Sequence, residues 1–151
     1  MTDNPPYRTA LNELMGECFR LNRSYLEVSA RLTDGSAVTG AQWGVLAALG
    51  QSDVPGTVAA TARRMGLARQ SVQRVADLLA DAGLICYLAN PDDKRAKLVE
   101  VTTAGKQELA ELKNRQHAWV DGVVGEYGEA EIRSALQVIK NIRERVSQQG
   151  I

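Results

Sequence analysis

Apolar residues recur at intervals of three and four along most of this chain and give way to short β-branched and aromatic runs only between Gly83 and Thr103. From Tyr7 to about Thr33, Leu11, Leu14, Met15, Cys18, Phe19, Leu21, Leu26 and Leu32 form a broad helical stripe, closed by Asp34-Gly35-Ser36. Thr39 and Gln42 then have capping-box spacing: the hydroxyl can accept from the Gln42 N–H while the Gln42 side chain reaches back. This opens a second helix, Gly40 to about Gly50, that buries Trp43, Val45, Leu46 and Leu49. The breaker-rich run from Gly50 to Gly56 ends it. Thr57 caps a short third helix through Met65, and Gly66 stands where a left-handed C-cap residue is expected.

The fourth helix, Ala68 to Ala82, has two unlike faces. Val72, Val75, Ala76, Leu79 and Ala82 make a buried stripe, while Arg69, Gln70, Gln73 and Arg74 place long polar side chains near its start. Arginine pairs bidentately with guanine and glutamine with adenine in the major groove, so this half suits a recognition helix. Gly83 ends the helix, and residues 84–89 and 97–102 read as two strands joined through Asn90-Pro91-Asp92-Asp93. The hairpin tip carries Asp93, Lys94, Arg95 and Lys97. Arg95 is placed to enter a narrow minor groove, with Asp93 expected to orient it by a salt bridge. From Thr103, Leu109, Leu112, Trp119, Val120, Val123, Val124 and Tyr127 mark one long helix broken at Gly128. A last helix follows, with Glu129 and Glu131 at its start and Ile132, Leu136, Ile139, Ile142 and Val146 on one face.

Composition agrees with one α-rich domain: 151 residues, 44% hydrophobic and 24% charged, with few aromatics. No apolar run approaches the roughly 18 residues of a membrane span. The N-terminus lacks a basic-then-apolar secretory pattern, so a cytoplasmic location is expected. The net charge of zero conceals a division along the chain. Residues 1–56 carry four basic and six acidic groups, 57–97 seven and four, and 98–151 seven and eight, so the basic excess is confined to the middle. His117 is the only histidine and has no cysteine, serine or carboxylate at a recognisable catalytic spacing. No catalytic residue, metal site or cofactor is expected.

The order of parts and the residues themselves resemble the multiple antibiotic resistance regulator (MarR) family of winged helix-turn-helix transcription factors. The resemblance rests on the segments 39–46 and 57–67, the helix from Ala68 ending in Gly83-Leu84-Ile85, and Asn90 to Gly105. Asp93 and Arg95 match the family's wing-tip Asp-x-Arg; Asn90, often Asp, and Lys94, often Arg, depart from its commonest pattern. The fold implied is mainly α with a small β-hairpin wing, in a single domain spanning 1–151. A winged helix-turn-helix lobe occupies about 37–104, and helices at 5–34 and 103–148 form a dimerisation lobe.

The resemblance implies a homodimer with the fourth helix in the major groove of double-stranded DNA and the wing in the adjacent minor groove. DNA contacts then fall to Ala68, Arg69, Gln70, Ser71, Gln73, Arg74, Lys94, Arg95 and Lys97. Dimerisation falls to Leu11, Leu14, Trp119, Val120, Val123, Ile132, Leu136, Ile139 and Ile142. Two-fold pairing would set the recognition helices ~34 Å apart and require a palindromic operator. The family also implies a small aromatic or anionic effector that releases a repressor from DNA, with Phe19, Arg23, Trp43 and His117 as candidate contacts. Two alternatives stand beside it. One is a thiol-based sensor using Cys18, although Gln42 and Trp43 occupy the second helix where the family's peroxide sensors carry tyrosines. The other is a winged-helix protein-interaction module without a DNA target.

Overall fold

The computed structural model describes residues 5–52 and 54–149; residues 1–4, on which the reading of the N-terminus rests, lie outside it, as does Asp53. Among the described residues the element order is α1 (Pro6–Leu32), α2 (Gly40–Leu49), β1 (Gly56–Thr57), α3 (Val58–Met65), α4 (Arg69–Asp81), β2 (Ile85–Leu88), β3 (Leu98–Val101), α5 (Thr103–Val124) and α6 (Glu129–Gln148). The chain divides into two compact units, 1–115 and 116–151, with the boundary inside α5.

Local chemistry sets most boundaries in the first unit. The capping box of α2 forms as expected, with Thr39 N–H donating to Gln42 Oε1 at 2.8 Å and Gln42 N–H to the Thr39 hydroxyl at 3.4 Å. The Thr57 hydroxyl accepts from Ala60 N–H at 3.2 Å and starts α3. Gly66, at φ 67°, turns the chain from α3 into α4, and Leu67 N–H closes back on the Ala62 carbonyl at 3.0 Å. Gly83 at φ 72° does the same after α4, where Leu84 N–H reaches the Leu79 carbonyl at 2.9 Å.

One core gathers these elements. Trp43, Val45 and Leu46 of α2 meet Val58 and Ala62 of α3, Val72, Ala76 and Leu79 of α4, Ile85, Val99 and Val101 of the sheet, and Leu112 of α5. Two details differ from the sequence expectation. Ala82 caps α4 and is exposed rather than completing its stripe, and Ala48 is buried while Leu49 is only half-buried.

The sheet has three strands rather than two, ordered β1-β3-β2 and antiparallel throughout. Gly56 and Thr57 pair with Val99 and Leu98, which makes β3 the central strand. Two residues are too few to show alternation, so β1 exists only through this pairing. Thr102 ties the sheet to α5: its hydroxyl donates to the Gly83 carbonyl at 2.7 Å and accepts from Gly105 N–H at 3.1 Å, capping the helix. Further along α5, Arg115 donates to the carbonyls of Leu32 and Asp34 at 3.1 and 3.0 Å, and Glu108 accepts from Ala37 N–H at 3.2 Å.

In the second unit, α5 ends at Val124 and not at Gly128, because Gly125 takes a left-handed φ of 55° that a helix cannot continue through. Tyr127 therefore lies in the connection. Gly128 N–H donates to the Glu131 carboxylate at 2.9 Å and opens α6, none of whose residues is buried.

Candidate nucleic-acid interface

Helix α4 buries one face and leaves the other to solvent for the reason its sequence gives: Val72, Ala76 and Leu79 fall at helical spacing on the core side. Arg69, Gln70, Ser71 and Arg74 are exposed, Gln73 is half-buried, and Ala68 is the exposed N-cap. The wing hangs from β2 and β3, which are in register through Leu88 and Leu98. Its tip is ordered by its own short side chains. The Asn90 amide oxygen accepts from Asp92 N–H at 3.0 Å, Asp93 Oδ1 accepts from Arg95 N–H at 2.9 Å, and Ala96 N–H returns to the Asp93 carbonyl at 3.1 Å.

Asp93 thus acts on Arg95 through the backbone. No salt bridge joins the two side chains, because a carboxylate two residues ahead meets the nearer N–H first. Among the described residues, ion pairs join Arg20 to Glu17, Arg23 to Glu27 and Arg133 to Glu129, none of them in α4 or the wing. Arg69, Arg74, Lys94 and Arg95 are therefore exposed cations without an ion-pair partner among the described residues. Lys97 lies over the Tyr87 ring, 5.7 Å from its centroid.

Between α4 and the wing is an open cleft of about 320 Å³ lined by Thr57, Val58, Ala59, Arg69, Gln73, Asp77, Tyr87, Arg95, Ala96 and Lys97. It brings together Arg69, Gln73, Arg95 and Lys97 from the sequence reading and adds two residues that reading missed, Asp77 and Tyr87. The Tyr87 hydroxyl donates to Asp77 Oδ1 at 2.7 Å, and Gln73 Nε2 donates to Asp77 Oδ1 and to the Tyr87 oxygen, each at 2.9 Å. Burial, then the Asp77 bond, pushes the Tyr87 phenol up to about 12; the bonds from Tyr87 and Gln73 hold the Asp77 carboxyl below the usual carboxylate range. The spacing of Gln73 and Asp77, four apart on a helix, was visible in the sequence. The third member depends on the register of β2.

The other sequence-chosen residues fall elsewhere. Trp43 is a core residue at 6% exposure, whereas Phe19 is 76% exposed on α1. Arg23, also on α1, pairs with Glu27 at 3.4 Å, and His117 is exposed in the second unit. Trp43, packed within the core, and Phe19, open to solvent, do not form one pocket. Leu11, Val120, Val123, Ile132, Leu136 and Ile139 are exposed, with Leu14, Trp119 and Ile142 half-buried. Cys18 and Cys86 are free and half-buried. Among the described residues no group of three or more His, Cys, Asp or Glu is placed to hold a metal ion, and no helix is long and apolar enough to cross a membrane.

Comparison with known proteins places this geometry. Residues 38–96 match the model of the MarR family. An uncharacterized protein of Mycobacterium tuberculosis, Rv2011c, is 38% identical over 95 residues, 63% of this chain; the chain spans 62% of that relative's length. Among solved structures, Staphylococcus aureus MarR in complex with salicylate and kanamycin superposes with a TM-score of 0.79 at 16% identity, covering 95% of this chain and 97% of that one. The transcriptional regulator MOSR of M. tuberculosis, in complex with DNA, gives a TM-score of 0.74 at 22% identity over 91% and 98%. Residues 38–96 are thus similar to the MarR family, and the chain shares the fold of these solved regulators.

Proposed function

We propose that this chain is a sequence-specific regulator that binds double-stranded DNA as a homodimeric repressor in the cytoplasm. In this reading the whole chain is a single MarR-type domain: the lobe at about 37–104 grips DNA, and the helices at 5–34 and 103–148 pair two copies. Helix α4 lies in the major groove, with Ala68, Arg69, Gln70, Ser71, Gln73 and Arg74 at its leading end, and Lys94, Arg95 and Lys97 of the wing follow the adjacent minor groove. Asp93 orients the tip through its bond to Arg95 N–H. The observation that carries the reading is the set of exposed cations on α4 and the wing tip with no ion-pair partner among the described residues, in a chain of zero net charge. Cations free of carboxylates are available to phosphates, where each contact displaces condensed counterions.

Release by a small anionic or aromatic effector is the second element of the proposal. The S. aureus relative was solved with salicylate. In this chain an anion in the cleft beside α4 would meet Arg69, Arg95 and Lys97, cations that the DNA-bound state also needs. Phe19, Arg23 and His117 remain candidate effector contacts on exposed helix surface, while the buried Trp43 serves the core.

The test is fluorescence anisotropy with the gene's own upstream DNA and with random competitor. Arg95→Ala is expected to weaken specific binding several-fold with an unchanged melting temperature, and to reduce the slope of log K against log salt by about one. Binding that ignores sequence, or that Arg95→Ala leaves unchanged, would overturn the assignment.

A further inference from the structure

We propose that Tyr87 and Asp77 are positioning residues that decide which end of the Gln73 amide faces DNA, and so set a base preference. The proposal rests on the DNA-binding reading above and goes beyond it. A free glutamine is ambidextrous: its carbonyl oxygen accepts from a base and its amide nitrogen donates to one, and a half-turn exchanges them. Here the nitrogen is held. Gln73 Nε2, Asp77 Oδ1 and the Tyr87 oxygen form a nearly equilateral triangle with sides of 2.9, 2.9 and 2.7 Å.

Proton inventory fixes the orientation. An ionised carboxylate only accepts, so both the phenol and the amide must donate to it. The phenol, having spent its single proton on Asp77, has only oxygen lone pairs to offer Gln73. Reversing the amide would set its carbonyl oxygen against both the carboxylate and the phenol oxygen. The triangle therefore directs the nitrogen inward and the carbonyl outward. Among the described residues no hydrogen bond ends on the Gln73 carbonyl oxygen, and the half-buried side chain lines the open cleft beside Arg69.

A glutamine presenting its carbonyl selects bases that show an exocyclic amine in the major groove. Those are adenine, through N6, and cytosine, through N4; guanine and thymine present acceptors there at O6 and O4. Because Tyr87 stands on β2, the same triangle joins the recognition helix to the strand that carries the wing.

The experiment selects a bound operator with the wild-type protein and measures affinity with each of the four bases at every half-site position. Gln73→Ala identifies the position it reads as the one whose preference disappears. There the wild type is expected to favour adenine or cytosine over guanine and thymine by about fivefold. Tyr87→Phe and the exposed-site change Asp77→Ala should both let guanine or thymine gain at that position alone, with Asp77→Ala the stronger because it removes the acceptor shared by both donors. A wild-type preference for guanine or thymine there would overturn the proposal. So would variants that lower affinity evenly for all bases, the mark of simple structural support, or a Gln73→Ala protein with an unchanged profile. A wild type without any sequence preference would instead overturn the sequence-specific reading on which the proposal rests.

Discussion

Tyr87 shows how one hydroxyl reports on its surroundings. Burial and the Asp77 bond raise its pKa from 10.0 to about 12, so the folded chain holds the phenolic proton more tightly than the unfolded chain does. The associated stability is fully present below pH 10, and is lost as pH rises from there through about 12. Asp77 has the opposite sign: its lowered pKa favours the fold above the ordinary value of 3.8 and ceases to do so as acid protonates the carboxylate. Tyr87→Phe should therefore remove the part of the phenolate absorbance that develops near pH 12, and flatten the fall in melting temperature between pH 10 and 12. An absorbance titration identical to that of the wild type would place the perturbed phenol elsewhere among the four tyrosines.

Among the elements, α5 is seated against the sheet at a single close approach. A Cβ at Gly105 would collide with the Leu84 carbonyl oxygen and lie 2.8 Å from Val101 Cγ1, and neither backbone nor buried valine can yield easily. Gly105→Ala is expected to destabilise the chain by about 1–3 kcal/mol, read from urea denaturation, by forcing α5 off β2 and β3. A midpoint equal to the wild type would show that the helix has room to shift. This contact, unlike the caps, was not legible in the sequence. Thr39, Thr57, Gly66 and Gly83 act within a few residues of themselves, so their types and spacing announced the helix ends. The candidate interface was legible to the same extent: the exposed Arg69, Gln70 and Arg74 follow from helical periodicity, and the charged tip from the hairpin. What depended on register was hidden. The β1 strand is made by β3, Tyr87 finds Asp77 across ten residues through the placement of β2, and Gly105 meets a carbonyl from the far side of the wing. The stop at Gly125 is masked in the sequence because the apolar pattern continues past it to Tyr127, although its left-handed φ ends the helix.

At the scale of the molecule, the apolar faces of α1 and α6 ask for a partner. Leu11, Met15, Phe19, Leu21 and Leu26 on α1 are exposed, and so are Ile132, Leu136, Val138, Ile139 and Val146 on α6. Single exposed leucines are ordinary, but two helices of 27 and 20 residues that expose such series are not. Pairing of two copies would cover them and give the small lobe at 37–104 a second grip on DNA. Ile139→Glu separates the possibilities. On a helix that stays in solvent, the change alters stability by less than about 0.5 kcal/mol and leaves the mass unchanged. In a two-fold interface it buries two uncompensated carboxylates, one from each copy, at a cost that association cannot absorb. Sedimentation equilibrium should then show a dimeric wild type and a monomeric variant with retained helical content. Operator affinity should drop by more than tenfold, because each half-site would have to be bound without the effective concentration that the linked partner supplies. A variant that remains dimeric would remove α6 from the interface; a monomeric variant with full affinity would show that one lobe suffices to hold the operator.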